Sequence, residues 1–190
     1  MSERLTRAIT YAANAHEGQI RKLANTPYIL HPMEVASIIG TITDDEDIII
    51  AGLLHDTIED CGKDPREIKE LFGPRVAALV QSESEDRLSD KPPAETWVER
   101  KEESLLMLAH TRDKAVKILW LGDKLSNIRS FDREYQKKGD NIWLSLNQKD
   151  KNMHGWYYKT IAEHLKELSD TAAYAEYIQH LNNLFGGREL

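Results

Sequence analysis

Almost every segment of this chain carries apolar residues at the 3.6-residue period of an α-helix. None shows the sustained alternation of polar and apolar residues that is typical of a half-buried β-strand. In the first segment, Ser2 can cap a helix that places Leu5, Ala8 and Ile9 on one face. The pattern therefore predicts an all-α fold.

Proline, glycine and aspartate divide the chain into predicted helices. A polar loop, "HEGQIRKLANTPY", follows the first helix, and Pro32 suits the first turn of the second. Asp44 or Asp45 can cap a third helix, which carries "LLHDTIED" and ends near Gly62. "SESEDRLSDKPPAE" predicts a loop. The remaining helices are predicted at 65–73, from 74, from about 96, and at 113–139, 151–168 and 171–185.

Composition limits what the chain can be. Its 190 residues fit one domain, 1–190, and 30% charged residues are ordinary for a globular protein. We expect no membrane span, because no run approaches the roughly 18 apolar residues required, and no nucleic-acid partner, because the net charge is −7. The one cysteine, Cys61, excludes an intrachain disulfide, which suits the cytoplasm. The sequence does not predict an oligomeric state.

Histidine and aspartate interrupt apolar segments at three places. His31 lies in "YILHP", His55 and Asp56 are adjacent in "LLHDTIED", and Asp123 lies in "LWLGDKLSN". Charged groups among apolar residues are costly unless they are paired or bound to a metal. Two histidines and two aspartates would form a mixed nitrogen and oxygen site, which suits Mn, Fe or Zn.

Each of these residues also has an ordinary explanation. His31 could be a helix-flanking histidine, Asp123 a paired helix carboxylate, and "HDTIED" a solvated helix face. The ordered set of an isolated histidine, an adjacent His-Asp pair and a distant aspartate favours the metal site.

Four segments carry a family resemblance, namely "AHEGQIRKLANTPYILHPMEVA", "AGLLHDTIEDC", "LFGPRVAALV" and "LGDKLSNIRS". Over about residues 4–168 they resemble the hydrolase domain of the RelA/SpoT family, among the HD-domain metal phosphohydrolases. The short length and "LNQKDKNMHGWYY" are more similar to the small alarmone hydrolases, which include the metazoan SpoT homologue. The resemblance implies a single-domain, HD-type helical bundle, and the helix at 171–185 lies beyond it.

The resemblance also implies roles for individual residues. It assigns Mn²⁺, or another transition metal, to His31, His55, Asp56 and Asp123, and activation of the attacking water to Glu59 and Asp60. Glu59 could instead support a ligand histidine. The residues that it implies in substrate binding are Arg21, Lys22, Asn127, Ser130, Lys101, Lys151 and Tyr157. For the last two, an exposed helix-start lysine and a core tyrosine are the alternatives.

The implied reaction is metal-dependent hydrolysis of (p)ppGpp, the guanosine 3′,5′-bis(diphosphate) alarmone and its pentaphosphate relative. Removal of the 3′-pyrophosphate would give GDP or GTP. Another nucleotide, such as (p)ppApp or NADPH, is the enzymatic alternative, and Leu23 after "RK" leaves base selectivity open. A non-catalytic nucleotide-binding HD module is a third possibility, which the complete ligand set and the Glu-Asp pair disfavour.

Overall fold

Helices make up the regular structure of the part that a computed structural model describes, residues 2–84 and 92–186. The α-helices are α1 Glu3–Ala15, α2 Leu30–Ile39, α3 Glu46–Leu54, α4 Thr57–Cys61, α5 Pro65–Phe72, α6 Pro74–Glu83, α7 Trp97–His110, α8 Lys114–Lys138, α9 Lys151–His164 and α10 Ala172–Phe185. Two 3₁₀ helices span Gly139–Ser145 and Lys166–Leu168. The all-α prediction is confirmed.

Local sequence signals begin and end these helices as predicted. The side chains of Ser2, Asp45 and Asp113 each accept a hydrogen bond from a backbone N–H in the first turn of α1, α3 and α8. Gly62 ends α4 in the left-handed conformation, with φ of 64°, which glycine adopts without steric cost. Across the described ranges, no helix is both long and apolar enough to cross a membrane.

The single helix predicted to run from Asp45 to Gly62 is wrong, because the chain breaks it at His55 and Asp56. α3 ends at Leu54 and α4 begins at Thr57, whose hydroxyl donates to the Leu54 carbonyl at 2.7 Å. On one continuous helix, adjacent side chains would point about 100° apart. The break instead lets His55 and Asp56 converge, with His55 Nε2 2.9 Å from Asp56 Oδ2.

Two other predicted boundaries also shift. The predicted loop "SESEDRLSDKPPAE" begins too early, since Ser82 and Glu83 belong to α6, and residues 85–91 lie outside the described residues. The helix predicted at 151–168 ends at His164, and a 3₁₀ turn follows it.

Three helices that carry the His and Asp side chains pack closely because two glycines face one isoleucine. A Cβ at Gly52 in α3 would lie 2.5 Å from Ile39 Cδ1, and a Cβ at Gly122 in α8 would lie 2.8 Å from Ile39 Cγ1. The absence of these side chains allows α3 and α8 to approach α2. The three helices therefore pack closely against one another in the core.

The C-terminal helix α10 packs against α8 and α9. The Tyr174 and Tyr177 hydroxyls donate to the carbonyls of Ala162 and Tyr158, at 2.9 and 2.8 Å. Tyr177 is fully buried, so α10 is part of the core that supports α8. α8 also carries Asp123.

Candidate metal centre and substrate cleft

The four predicted metal ligands meet at one point in the interior. His31, His55 and Asp123 can each offer a ligand atom such that these atoms lie within 4.8 Å of one another. His31 Nε2 is 3.1 Å from Asp123 Oδ1 and 3.5 Å from Asp56 Oδ2. Two imidazole nitrogens and two carboxylates thus face a common centre from α2, the α3–α4 junction and α8.

The chemistry of this cluster fits a divalent cation. His55 Nδ1 lies 2.9 Å from the Gly52 carbonyl, which can only accept a hydrogen bond, so Nδ1 carries a proton and Nε2 is the nitrogen that faces the centre. His55 Nε2 is buried and, among the described residues, makes no contact with hydrogen-bond geometry, although Asp56 Oδ2 lies only 2.9 Å away. An imidazole nitrogen that faces two carboxylates can ligate a metal once it has lost its proton.

Electrostatics within the cluster favour ionised carboxylates. Burial lowers the pKa of His31, and Asp123 opposes that shift only in part. Burial also opposes charge on His55, but Asp56 and Asp123 outweigh it and raise the pKa of His55 well above its ordinary value. Burial of Asp123 is outweighed by Lys124 and by both histidines, which hold the pKa of Asp123 well below its usual range. The two carboxylates are therefore ionised and attract positive charge, which is the proton on His55 when no metal is bound.

The carboxyl pair Glu59 and Asp60 lies on α4, directly after the break. The Tyr28 hydroxyl can donate its one proton to Asp56 Oδ2, at 2.7 Å, or to Asp60 Oδ2, at 3.0 Å. Burial, with the charges of Asp56 and Asp60, raises the pKa of Tyr28 far above its ordinary value, so the hydroxyl remains a donor. Tyr28 therefore connects the predicted ligand Asp56 with the predicted catalytic Asp60. Glu59 is half-buried beside it.

A cavity of about 450 Å³ opens beside this pair. Its lining includes Arg21, Lys22, Tyr28, Asp60 and Ser130, together with the apolar side chains of Leu23, Phe131 and Leu146. Arg21 and Lys22 lie in the loop before α2, which we call the basic loop. This loop and Asp60 of α4 thus line the same cavity.

A second cavity of about 220 Å³ shares Phe131 and Leu146 with the first. Lys101, Lys124, Asn127 and Tyr157 line it. The Lys101 ammonium lies 5.1 Å from the centre of the Tyr157 ring. The second cavity therefore brings two further cations, Lys101 and Lys124, next to the first.

Hydrogen bonds connect the basic loop to the metal centre. Arg21 donates to Asn127 Oδ1 at 2.8 Å, and Asn127 Nδ2 donates to Asp123 Oδ1 at 2.6 Å. Of the seven predicted substrate-binding residues, six line the two cavities. They are Arg21, Lys22, Asn127, Ser130, Lys101 and Tyr157.

Lys151 is the exception among the predicted substrate-binding residues. Its ammonium donates to the Tyr135 hydroxyl at 3.0 Å and pairs with Asp140 at 3.2 Å. It lines neither of the two cavities. Its geometry supports a tether between α9 and the 3₁₀ helix at Gly139–Ser145, and gives no support to the predicted phosphate contact.

Sequence reasoning missed three residues around this site. Tyr28 stands three positions before His31, and Lys124 directly follows Asp123, so their closeness to ligands was a usable signal. Lys124 pairs with Asp123 and, at 3.5 Å, with Glu83, and it lies over the Trp120 ring. Glu83 has no such signal, because only the packing of α6 against α8 brings it to Lys124.

Curated relatives of this chain are much longer proteins. A GTP pyrophosphokinase from Myxococcus xanthus is 36% identical over 136 residues, which is 70% of this chain and 18% of the relative. A guanosine-3′,5′-bis(diphosphate) 3′-pyrophosphohydrolase from Haemophilus influenzae is 41% identical over 120 residues, which is 63% of this chain and 17% of the relative. The chain therefore spans less than a fifth of either relative.

Solved structures match over more of their length. A structure described as a metazoan ortholog of SpoT that hydrolyzes ppGpp superposes with a TM-score of 0.74 at 25% identity, over 96% of this chain and 95% of that one. A crystal structure of a Listeria monocytogenes protein gives 0.69 at 27% identity, over 82% and 94%. The family model described as HD domain matches residues 8–150. The chain belongs to the HD-domain family, whose members bind divalent metals.

Proposed function

We propose that this protein is a cytoplasmic, metal-dependent pyrophosphohydrolase of (p)ppGpp, releasing GDP or GTP and pyrophosphate. One observation carries the proposal: a His and Asp cluster suited to a divalent cation lies next to two adjoining cavities, and cationic side chains line each of them. A substrate with a diphosphate at each end of a ribose matches that distribution of charge. The name of the relative from Haemophilus influenzae and the description of the metazoan structure both mention this substrate.

The metal in this proposal is Mn²⁺, held by His31, His55, Asp56 and Asp123. Mixed imidazole and carboxylate ligands suit Mn²⁺ and equally Fe²⁺ or Zn²⁺. When bound, the cation supplies Lewis acidity, which polarises a phosphoryl oxygen and acidifies water.

Glu59 and Asp60 are the proposed proton acceptors. Both lie on α4, which begins directly after the ligand Asp56, and Asp60 lines the larger cavity. A carboxylate there accepts a proton as the water oxygen bonds to the phosphorus of the 3′-pyrophosphate. The bond from that phosphorus to the ribose oxygen breaks, and the ribose oxygen takes up a proton. The Tyr28 hydroxyl lies within hydrogen-bond distance of both Asp56 and Asp60 and can donate its one proton to either carboxylate.

Cationic side chains are proposed to hold the two diphosphates. Arg21 and Lys22 contact the substrate from the loop before α2, and Lys101 contacts it from α7 beside Tyr157. Arginine can also stack on a base. Leu23, Phe131 and Leu146 offer a base an apolar surface to pack against. Asn127 and Ser130 supply polar contacts from α8.

The experiment is a panel of ppGpp, pppGpp, ppApp and NADPH incubated with Mn²⁺-loaded protein, with products identified by mass. Release of GDP and pyrophosphate from ppGpp, at a higher kcat/KM than from the other substrates, is expected. Preference for ppApp or NADPH would keep the chemistry and change the substrate. Tight ppGpp binding without any turnover would indicate the non-catalytic module instead.

A further inference from the structure

Ser126 and Glu34 form a relay behind the ligand His31. His31 Nδ1 lies 2.8 Å from Ser126 Oγ, and Ser126 Oγ lies 2.7 Å from Glu34 Oε2. A carboxylate can only accept, so the serine proton goes to Glu34 and the serine oxygen is left to accept from His31 Nδ1–H. His31 Nε2 then presents its lone pair to the centre, as metal ligation requires.

The two ligand histidines differ in how this tautomer is selected. His55 faces the Gly52 carbonyl, which has no proton to give. His31 faces a hydroxyl, which can donate or accept, so serine alone leaves both tautomers open. Glu34 removes the ambiguity because it takes the hydroxyl proton.

We propose that Glu34 is a positioning residue, which acts through Ser126 to hold His31 in the metal-binding tautomer. The proposal rests on the metal site assigned above. His31 and Ser126 are buried, with 3% and 1% of their surface exposed, so water has little access to the contact between them, whereas the Glu34 side chain is 33% exposed at the outer end of the relay. Neither Glu34 nor Ser126 is among the predicted ligands or substrate contacts.

The relay is anchored to the last helix. Glu34 Oε1 accepts from Arg129 Nη1 at 3.1 Å, and Arg129 makes two further hydrogen bonds, of 2.7 and 2.6 Å, to the Glu176 carboxylate. Arg129 lies on α8 and Glu176 on α10, which is outside the matched region 8–150. The same arginine therefore orients Glu34 and joins α10 to α8.

The test measures Mn²⁺ affinity by direct titration without substrate, so it does not depend on the reaction. Glu34→Ala should weaken Mn²⁺ binding about tenfold or more, the usual effect of losing a partner behind a ligand histidine. Glu34→Gln keeps an oxygen that accepts from Ser126 but loses the charge that pairs with Arg129. The Kd of Glu34→Gln for Mn²⁺ should stay within about threefold of that of the unmodified protein. Ser126→Ala removes the acceptor of His31 and should match Glu34→Ala.

Arg129→Met is the matched control for the ion pair. It should lower thermal stability and leave Mn²⁺ affinity within about threefold, because the contact from Glu34 to Ser126 remains. Equal losses of affinity in Glu34→Ala and Glu34→Gln would overturn the relay and indicate a merely structural ion pair. Unchanged affinity in Glu34→Ala would also overturn it. Absence of Mn²⁺ binding in the unmodified protein would instead refute the proposed metal site.

Discussion

The metal centre and the cleft beside it are built in different ways. The side chains of His31, His55 and Asp123 are at most 5% exposed, and they lie at the ends or in the middle of helices that pack in the core. The cleft is lined by the loop before α2 and by long side chains such as Lys22, which is exposed. The centre is therefore held by the same packing that holds the fold.

This difference predicts how the two regions respond to substitution. At the centre, each predicted ligand contacts another predicted ligand. One substitution there should therefore abolish metal binding. Along the cleft, several cations are proposed to share one polyphosphate, so single changes should have graded effects.

The largest expected effect is loss of metal and turnover in Asp123→Ala. The variant removes the carboxylate that lies within 3.5 Å of both ligand histidines. We expect no stoichiometric Mn²⁺ in metal analysis and no measurable hydrolysis, with helical circular dichroism retained. Asp132→Ala is the control, another buried aspartate of α8, which pairs with His180 and with none of the predicted ligands. It should cost stability and keep the metal. Loss of the metal in both variants would contradict a specific role for Asp123.

The next effect separates proton transfer from metal binding. Replacing both carboxylates in the double variant Glu59→Gln, Asp60→Asn should lower single-turnover hydrolysis by about 10²-fold or more, the scale of a positioned acid or base. Mn²⁺ occupancy should stay near that of the unmodified protein, and substrate affinity should hold or increase because two negative charges are gone. Loss of Mn²⁺ from the double variant would indicate that Glu59 or Asp60 is itself a metal ligand.

Along the cleft, a graded effect distinguishes two lysines. Lys101→Met should raise KM about tenfold, since a charge-assisted contact contributes roughly 1.5–3 kcal/mol. Lys151→Met should leave KM within about twofold, because Lys151 is engaged with Tyr135 and Asp140. Steady-state kinetics on ppGpp measures both. An equal increase in KM for Lys151→Met would restore the contact predicted from sequence.

A smaller effect is expected at the hydroxyl that connects both regions. Tyr28→Phe keeps the ring and removes the donor to Asp56 and Asp60. A lost hydrogen bond to a charged group is worth about 1.5–3 kcal/mol at most, so kcat should fall roughly three- to tenfold in this partly solvated site. Rapid-quench kinetics at saturating substrate is the measurement, and kcat equal to that of the unmodified protein would exclude a role for the hydroxyl.

The smallest effect concerns stability and pH in the metal-free protein. Burial raises the pKa of Glu83 from 4.5 to about 7, although Lys124 opposes the shift. Because the folded state holds this proton more tightly, Glu83 favours folding at low pH, and that contribution is lost as pH rises from 4.5 to about 7. Glu83→Gln should remove this part of the pH dependence. Chemical denaturation of the two proteins at pH 5 and pH 8 gives the change in the free energy of unfolding between these pH values. An identical change in both proteins would contradict the raised pKa of Glu83.

Helices and ligands were predictable from sequence for different reasons. Helix caps such as Ser2 and Asp113 act on residues two or three positions away, so local sequence suffices. The ligand set rested on an ordered pattern and a family resemblance. The break at His55 and Asp56 was not predictable, because the apolar period continues through it and only the packed structure shows the interruption. The contact from Ser126 to Glu34 spans 92 positions of sequence, and nothing local indicates it.

Metal dependence of product formation tests the central claim most directly. Metal-stripped protein should release no pyrophosphate from ppGpp. Stepwise Mn²⁺ addition should restore GDP and pyrophosphate release in proportion to occupancy, up to one ion per chain. Asp123→Ala should stay inactive at every Mn²⁺ concentration. Full hydrolysis by the metal-stripped protein, or by metal-free Asp123→Ala, would contradict the account.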